Sequence, residues 1–282
     1  MAKRLKYLIS LALSLSLFIP GFSDASIVIA DSVQVTDVTP VTFSVVWATS
    51  EPATCSLDVF VDADGTIPYT EAVVRSESAE HPPAEDIGVM KVKVVGLKPS
   101  THYFFRTRTI SKSDNNVYLY PTDFPLIEVK TEEETVIVQN DMVALKVTIG
   151  ENKPAPGTLV IASVDKATYP VSSWVGYGVP DQWAAINANN FYEKTTHKNL
   201  ELNGGEVIDL VSFGGLLGFV ELQDTVPEES GEVQALKLAA TLQDSGSSPA
   251  SPTATGSGGG GGGGSCFIAT ASSQPFDSAQ GR

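Results

Sequence analysis

Residues 96–108 read GLKPSTHYFFRTR, and this stretch decides the fold class predicted for the first part of the chain. Pro99 presets a turn because its ring fixes the backbone angle φ. Leu97, two residues earlier, is expected to be buried beneath that turn, and Tyr103 opens an aromatic run just after it. The stretch therefore predicts a tight corner that leads into a strand.

Three segments near this corner carry apolar residues at every second position, which is the pattern of a strand with one buried face. Lys91 and Lys93 alternate with the apolar residues of one segment and are expected to face solvent. Short strands at this spacing, with no helical period between them, predict an antiparallel β-sandwich over residues 27–132. The residues predicted to point inward are Phe43, Val45 and Trp47, then Leu57, Val59 and Val61, then Met90, Val92 and Val94.

The corner resembles the Leu-x-Pro-x-Thr-x-Tyr pattern of fibronectin type III domains, which Leu97, Pro99, Thr101 and Tyr103 match. In that family the tyrosine hydroxyl bonds back to nearby backbone and so forms a tyrosine corner. Trp47 matches the core tryptophan that the family carries on its second strand. The resemblance implies a fibronectin type III-like β-sandwich as the first domain.

The segment from Arg75 to Asp86 departs from the family pattern. It is long and acidic and contains two consecutive prolines, so we expect the sheet edge there to be loose or looped out. The chain contains no Arg-Gly-Asp tripeptide, so integrin-type adhesion is not implied.

A partial calcium-loop pattern lies after the second of these strands. Asp62, Asp64, Gly65 and Glu71 occupy positions 3, 5, 6 and 12 of the loop template. Position 1 is Phe60, which cannot bind a hard cation. The simpler interpretation is an Asp-Gly hairpin turn.

Residues 134–242 are predicted to form a second β-sandwich, for which we identify no family. The charged run 132–134 suits an exposed linker between the two domains. Residues 142–149 alternate cleanly, with Val143, Leu145, Val147 and Ile149 on one face. The last segment, VQALKLAATL, fits a strand or a short helix. Further strands are predicted at residues 158–164, 206–213, 216–222 and 233–241, with tight turns at the glycine pairs 204–205 and 214–215.

The stretch from residue 174 to residue 192 is unusually rich in aromatic and amide side chains. Trp174, Tyr177, Trp183 and Asn189 are its candidate ligand-binding residues. Aromatic faces stack on the C–H faces of sugars while amides address hydroxyls, so the composition fits carbohydrate recognition. The alternative is that the tryptophans fill the core and the remaining residues form a long loop.

The amino-terminal residues 1–25 have the order of a secretory signal peptide. Three basic residues precede an apolar run at positions 8–19, and small residues follow, so cleavage is predicted between Ala25 and Ser26. The alternative is a retained membrane anchor, but 12 apolar residues fall short of the roughly 20 that a spanning helix needs. We therefore predict export to the cell envelope or beyond, with no transmembrane span after cleavage.

The chain is acidic, with a formal net charge of −15 that becomes about −17 once the leader is removed. Such a surface repels phosphate backbones and anionic membranes, so nucleic acid is not an expected partner. A protein or polysaccharide partner at the cell surface is expected instead.

Residues 243–282 are predicted to be a disordered tail rich in serine, proline and glycine. Seven consecutive glycines lead to Cys266 and the hexapeptide CFIATA at positions 266–271. This arrangement resembles the CFI-box motif at the carboxyl end of exported bacterial proteins, which implies surface sorting or attachment. The family continues beyond the box, whereas this chain departs from it. The alternatives are a truncated sorting region or a low-complexity end with an exposed thiol.

Catalysis and cofactor binding are not indicated. His81, His102 and His197 lack the spacing of a metal pair, and the chain has no nucleophile elbow, phosphate loop or Cys-x-x-Cys. The sequence predicts a non-catalytic exported interaction protein without a cofactor. The rival hypotheses are a carbohydrate-binding module, an enzyme with a buried carboxylate cluster, and a structural subunit that self-associates.

Overall fold

A computed structural model describes residues 27–140, 142–150, 153–228 and 231–238, without side-chain detail for 30, 31 and 231–238. The regular structure in these ranges is β-strand, apart from three short 3₁₀ turns. The predicted all-β class is thereby confirmed. The strands of the first unit are β1 Val28–Thr36, β2 Thr42–Thr49, β3 Ala53–Phe60, β4 Val73–Ser76, β5 Val89–Val95, β6 His102–Ser111, β7 Val117–Tyr120 and β8 Ile127–Lys130. Those of the second unit are β9 Met142–Ile149, β10 Lys153–Pro154, β11 Leu159–Ser163, β12 Val171–Trp174, β13 Trp183–Asn187, β14 Val207–Phe213, β15 Phe219–Thr225 and β16 Gly231–Leu238.

The first unit consists of two antiparallel sheets. One has the order β1-β2-β5-β4, and the other has the order β3-β6-β7 with β8 also paired to β6. This division of strands is that of an immunoglobulin-like sandwich, in which alternate residues of each inner face fill the core.

Large aromatic side chains fill the core of the first unit. Phe43, Trp47, Tyr103 and Phe105 are at most 1% exposed. The indole Nε1 of Trp47 donates to Thr109 Oγ1 at 3.0 Å, so the single polar atom of that ring is satisfied. Burial of rings of this size is the largest apolar contribution to the stability of such a sandwich.

The corner at residues 97–103 is fixed by one hydrogen bond. The backbone N–H of Lys98 donates to the Tyr103 hydroxyl at 2.9 Å. Leu97 is buried beneath the turn, and Pro99 carries the chain round to Ser100, whose φ is +51°. The hydroxyl thus supports the chain five residues before its own position.

The second unit is also built from two sheets. In one, β9 pairs with β10 and β13 on antiparallel ladders and with β16 on a parallel ladder. The other has the antiparallel order β12-β11-β14-β15. The last predicted segment, VQALKLAATL, fits either a strand or a short helix by its sequence. In the structure its first residues belong to a strand, Gly231–Leu238. It pairs with the edge of β9 that faces away from β13, where the backbone N–H and C=O groups of β9 need partners.

The outer face of the β1-β2-β5-β4 sheet packs against the second unit. Val46, Ala48 and Val89 belong to the same buried apolar cluster as Leu159 and Phe213. Two glycines permit the backbones to come this close. Gly157 and Gly215 have φ of +78° and +57°, and a Cβ on either would clash with backbone across the junction, at Ala84 and Ile87 respectively. The two units therefore share a core.

Several expectations from the sequence are wrong, most of them because of this packing. Lys91, expected in solvent, is 5% exposed because the second unit covers its face of the sheet. Glu132, expected in an exposed linker, is 1% exposed. Residues 75–86 are not loose, since β4 extends the sheet and Ala84 is buried at the junction. Val61 is 43% exposed because β3 ends one residue before it.

Candidate functional site

The junction between the two units carries a buried cluster of charges. Lys91 Nζ lies 3.2 Å from Asp37 Oδ2 and 3.0 Å from Glu77 Oε2. Lys91 comes from β5, Asp37 follows β1 and Glu77 follows β4. The lysine stem crosses the outer face of the sheet, which brings its ammonium between carboxylates from strands that are not adjacent.

The second unit closes this cluster from above. Ser172 donates to Asp37 through its backbone N–H at 2.8 Å and through its hydroxyl at 2.5 Å. Trp174 Nε1 donates to Glu77 Oε2 at 3.3 Å. Both donors lie on β12, so one strand of the second unit caps both carboxylates of the first.

Burial and ion pairing shift the pKa values of Asp37 and Lys91 in opposite directions. Burial raises the pKa of Asp37, but the Lys91 charge and the hydrogen bonds from Ser172 outweigh it and hold that pKa below its usual value. Burial lowers the pKa of Lys91, but the charges of Asp37 and Glu77 more than compensate and raise it. One cation therefore faces two anions in a site with little water.

An aromatic stack lies beside the charged cluster. The His81 ring stacks on Trp174, with centroids 4.4 Å apart and an interplanar angle of 8°. Tyr177 meets His81 in an edge-on arrangement, with ring centroids 4.7 Å apart. His81 Nδ1 lies 2.8 Å from the carbonyl oxygen of Glu77, so the histidine is positioned by the same segment that carries the carboxylate.

A groove opens next to this stack, at the boundary of the two units. Its cavity volume is about 650 Å³. Tyr177 is 69% exposed at this boundary, and Glu80, Lys153 and Asp181 add charged groups to the lining. We call this feature the junction groove; its apolar lining includes Pro82, Pro83, Pro154, Pro156, His81 and Tyr177.

The four candidate ligand residues are divided between two places. Tyr177 lines the junction groove, and Trp174 lies behind it, 4% exposed and covered by His81. Trp183 begins β13, where its carbonyl accepts from the N–H of Gly176 at 2.7 Å. Asn189 lies beyond the other end of β13 and accepts from the backbone N–H of Asn140 at 2.7 Å. The structure therefore does not bring the four side chains into one cleft.

The partial calcium pattern forms a self-contained turn. The Asp62 carboxylate accepts from the hydroxyl and N–H of Thr66 and from the N–H of Ile67. Hydrogen bonds from Thr66 hold the pKa of Asp62 below its usual value. Gly65 takes the positive φ of +62° that the turn requires. These contacts are those of the Asp-Gly turn, and Asp62 already uses its oxygens within it.

A second ion pair crosses the junction at Glu132 and His197. Glu132 Oε2 lies 2.9 Å from His197 Nδ1, while Oε1 has no hydrogen-bond partner among the residues described. Burial raises the pKa of Glu132, and the hydrogen bond and charge of His197 offset this in part. This pair ties the connecting segment to the second unit.

Other predictions from the sequence concern residues partly or wholly outside the described ranges. The proposed cleavage site at Ala25 and Ser26, the tail from residue 243 and the box with Cys266 lie there. Within the described ranges no helix is long and apolar enough to cross a membrane. No group of three or more metal-binding side chains occurs in those ranges either.

Comparison with known proteins adds a distant structural similarity. No protein-family model matches the chain, and no curated protein matches it. Among solved structures it is similar to one described as "Structure of PhoD", with 15% identity and a TM-score of 0.27. That match covers 46% of this chain and 24% of the other, so the chain spans about a quarter of its length.

Sequence reasoning missed the charged cluster and His81. Asp37 and Glu77 lie in turns and Lys91 lies in an alternating strand, so each has the appearance of a solvated residue. One local signal was available in the expected loop at 75–86. Its buried residues Ser78 and Ala84, and Ile87 directly after it, are small or apolar beside acidic residues, which favours a docked segment.

Proposed function

We propose that this protein is an exported, non-catalytic interaction protein of the bacterial cell envelope that binds its partner in the junction groove. The observation that carries this is the exposure of Tyr177 in a groove walled by prolines and by a stacked histidine. Rigid aromatic and proline surfaces are favourable contacts because little conformational entropy is lost when a partner covers them.

The shared core of the two units supports a binding role for this groove. One wall comes from residues 80–87 of the first unit and the others come from the second. Because Val46 and Leu159 belong to one apolar cluster, the walls keep a fixed separation. A preformed groove of this kind is the usual form of a binding site.

The first unit is proposed to be a fibronectin type III-like module, used as a scaffold. The Lys98 N–H bond to the Tyr103 hydroxyl and the burial of Trp47 support this assignment. Export rests on the leader and the CFI-box resemblance of the sequence. Mass determination of the mature chain tests it, with Ser26 as the expected first residue.

The binding role is tested by comparing Tyr177→Ala with Phe124→Ala. Phe124 is also an exposed aromatic, 59% accessible, but does not line the groove. Labelled full-length protein is titrated onto isolated cell envelope of the producing bacterium. We expect Tyr177→Ala to weaken binding by about tenfold or more, as for a central anchor residue. Equal binding by the wild type and both variants would show that the groove does not take part in binding.

A polysaccharide is the second candidate ligand. The exposed ring of Tyr177 lines the same groove as Asp181 and Lys153, which combines a stacking surface with groups that hydrogen-bond hydroxyls. A glycan array decides this with the same pair of variants. Binding lost in Tyr177→Ala and kept in Phe124→Ala supports a sugar ligand. An array without signal, alongside envelope binding that requires Tyr177, supports a protein partner.

A further inference from the structure

The lysine of the charged cluster is placed as a nucleophile. Lys91 Nζ is 3.2 Å from Asp37 Oδ2, and both residues are less than a tenth exposed. Glu77 lies 3.0 Å from the same nitrogen on its other side. An amine, a carboxyl group and a second carboxylate that can carry protons therefore converge on one point. Reactants held this close have effective concentrations far above those in solution.

Lys91 and Asp37 can both become neutral by proton transfer within the cluster, without exchanging a proton with solvent. One ammonium and two carboxylates carry a net charge of −1. Transfer of a proton from Lys91 to Asp37 gives an amine, a carboxylic acid and the Glu77 carboxylate, again with a net charge of −1. Burial works in favour of this form, because two neutral groups replace two buried ions, while the pairing and hydrogen bonds described above keep the ion pair as the resting state. The neutral form is therefore the minor state from which the reaction starts.

The electrophile is held rigidly and its oxygens are polarised. Ser172 N–H donates to Asp37 Oδ1 at 2.8 Å, while Ser172 Oγ and Thr36 Oγ1 contact Oδ2 at 2.5 and 3.0 Å. The N–H of Asp37 donates to the Pro170 carbonyl at 3.0 Å, and its φ is +52°. Surrounding contacts impose this uncommon conformation. The donor on Oδ1 is positioned to stabilise negative charge that develops during attack.

We propose that Lys91 and Asp37 join in an intramolecular isopeptide bond, with Glu77 as the acid-base residue. The neutral Lys91 amine attacks Asp37 Cγ, and a new C–N bond forms. Glu77 removes a proton from that nitrogen and delivers it to the Oδ2 hydroxyl, and the C–O bond breaks to release water. The products are one amide, one water and the Glu77 carboxylate, so no oxidant, cofactor or external reactant is needed.

The product removes buried charges from the site. A buried ion pair by itself contributes little to stability, since desolvation offsets the attraction. The amide removes the two most buried charges and keeps the Ser172 N–H as a donor to its carbonyl oxygen. Glu77, the most exposed of the three, retains its charge and its bond from Trp174. The bond would tie the end of β1 to β5 across β2 and fix the strand edge that carries the second unit.

The test is the mass of the full chain after denaturation in acid, measured beside a Lys91→Arg variant produced in the same way. Arginine keeps the cation but cannot form the amide. We expect the wild type to be lighter than its sequence requires by one water and the variant to have its full mass. A wild type of full mass would show an ion pair alone and would overturn the proposal.

Peptide mapping locates the bond. Trypsin cuts after Arg75, Lys91 and Lys93, so an amide on Lys91 leaves residues 76–93 intact and joined to the peptide that ends at Arg75. Glu77→Gln keeps the shape of the site but removes its proton carrier, and it is expected to have full mass and separate peptides. A crosslink that persists in Glu77→Gln would contradict the role of Glu77. A crosslink between other residues would contradict the bond itself.

Discussion

The β1-β2-β5-β4 sheet has two faces made from alternate residues of the same strands, and they are stabilised in different ways. On the inner face Phe43, Trp47 and Met90 pack in a dry core against the opposite sheet. On the outer face Val46 is apolar, while Lys91 contributes a charge that pairs with two carboxylates, Asp37 and Glu77. Alternation along a strand therefore identifies its two faces but does not determine which of them is exposed to solvent.

The inner face is expected to carry the larger single-residue effect. Trp47→Ala removes a fully buried ring and leaves the Thr109 hydroxyl without its donor. We expect a loss of about 4 kcal/mol in the free energy of unfolding, since the cavity cannot fully collapse. Urea unfolding followed by circular dichroism measures it. A loss below about 1 kcal/mol would mean that the core does not depend on this ring.

On the outer face the corresponding test is Lys91→Met. The substitution keeps the apolar stem but leaves the Asp37 and Glu77 carboxylates buried without a cation. Measured against Lys91→Arg, which also lacks the proposed amide but keeps the cation, we expect a destabilisation of about 3 kcal/mol, the typical cost of breaking one side of a buried pair. Lys93→Met is the matched control, because Lys93 is a neighbouring, less buried residue of β5. A similar small effect for both variants would mean that the outer face tolerates an uncompensated charge.

This difference between the two faces explains which part of the fold could be predicted from the sequence. The inner face of β2 and the corner at Tyr103 depend on residues close in sequence, whose spacing is visible. The partners of the outer face lie far along the chain, as with Asp37 and Ser172, which are separated by 135 residues. No periodicity reports a contact of that range, so Lys91 has the pattern of a solvent-facing residue.

The candidate site shows the same limit. Composition identified Tyr177, which does line the junction groove, because an exposed aromatic in a glycine-rich loop is a local feature. It grouped Trp174 and Asn189 with Tyr177, although one is buried under His81 and the other supports Asn140. The grouping failed because the length of β13 separates Asn189 from Tyr177, and because His81, from the first unit, covers Trp174.

A smaller effect is expected at the corner beside the inner face. Tyr103→Phe keeps the ring but removes the hydroxyl that accepts from Lys98 N–H. We expect a loss of about 1 kcal/mol, the usual net contribution of one hydrogen bond. Tyr177→Phe serves as the control, because its side chain is largely exposed and should leave the unfolding free energy unchanged. Equal stability of Tyr103→Phe and wild type would show that the corner depends on packing alone.

The smallest effect is expected from the second ion pair at the junction, and it depends on pH. Burial raises the pKa of Glu132 above its usual value, so the fold favours the protonated carboxyl. The stability gained from this preference is complete below the unfolded pKa and is lost as the pH rises through the folded one. Glu132→Gln does not titrate and keeps an oxygen that can accept from His197. The variant should therefore match the wild type near pH 4 and be slightly more stable than the wild type at neutral pH. Glu133→Gln, an exposed neighbour, should show no such divergence between the two pH values. If Glu132→Gln instead becomes less stable than the wild type as the pH rises, then the attraction of His197 outweighs burial, and the junction gains stability from this pair as well.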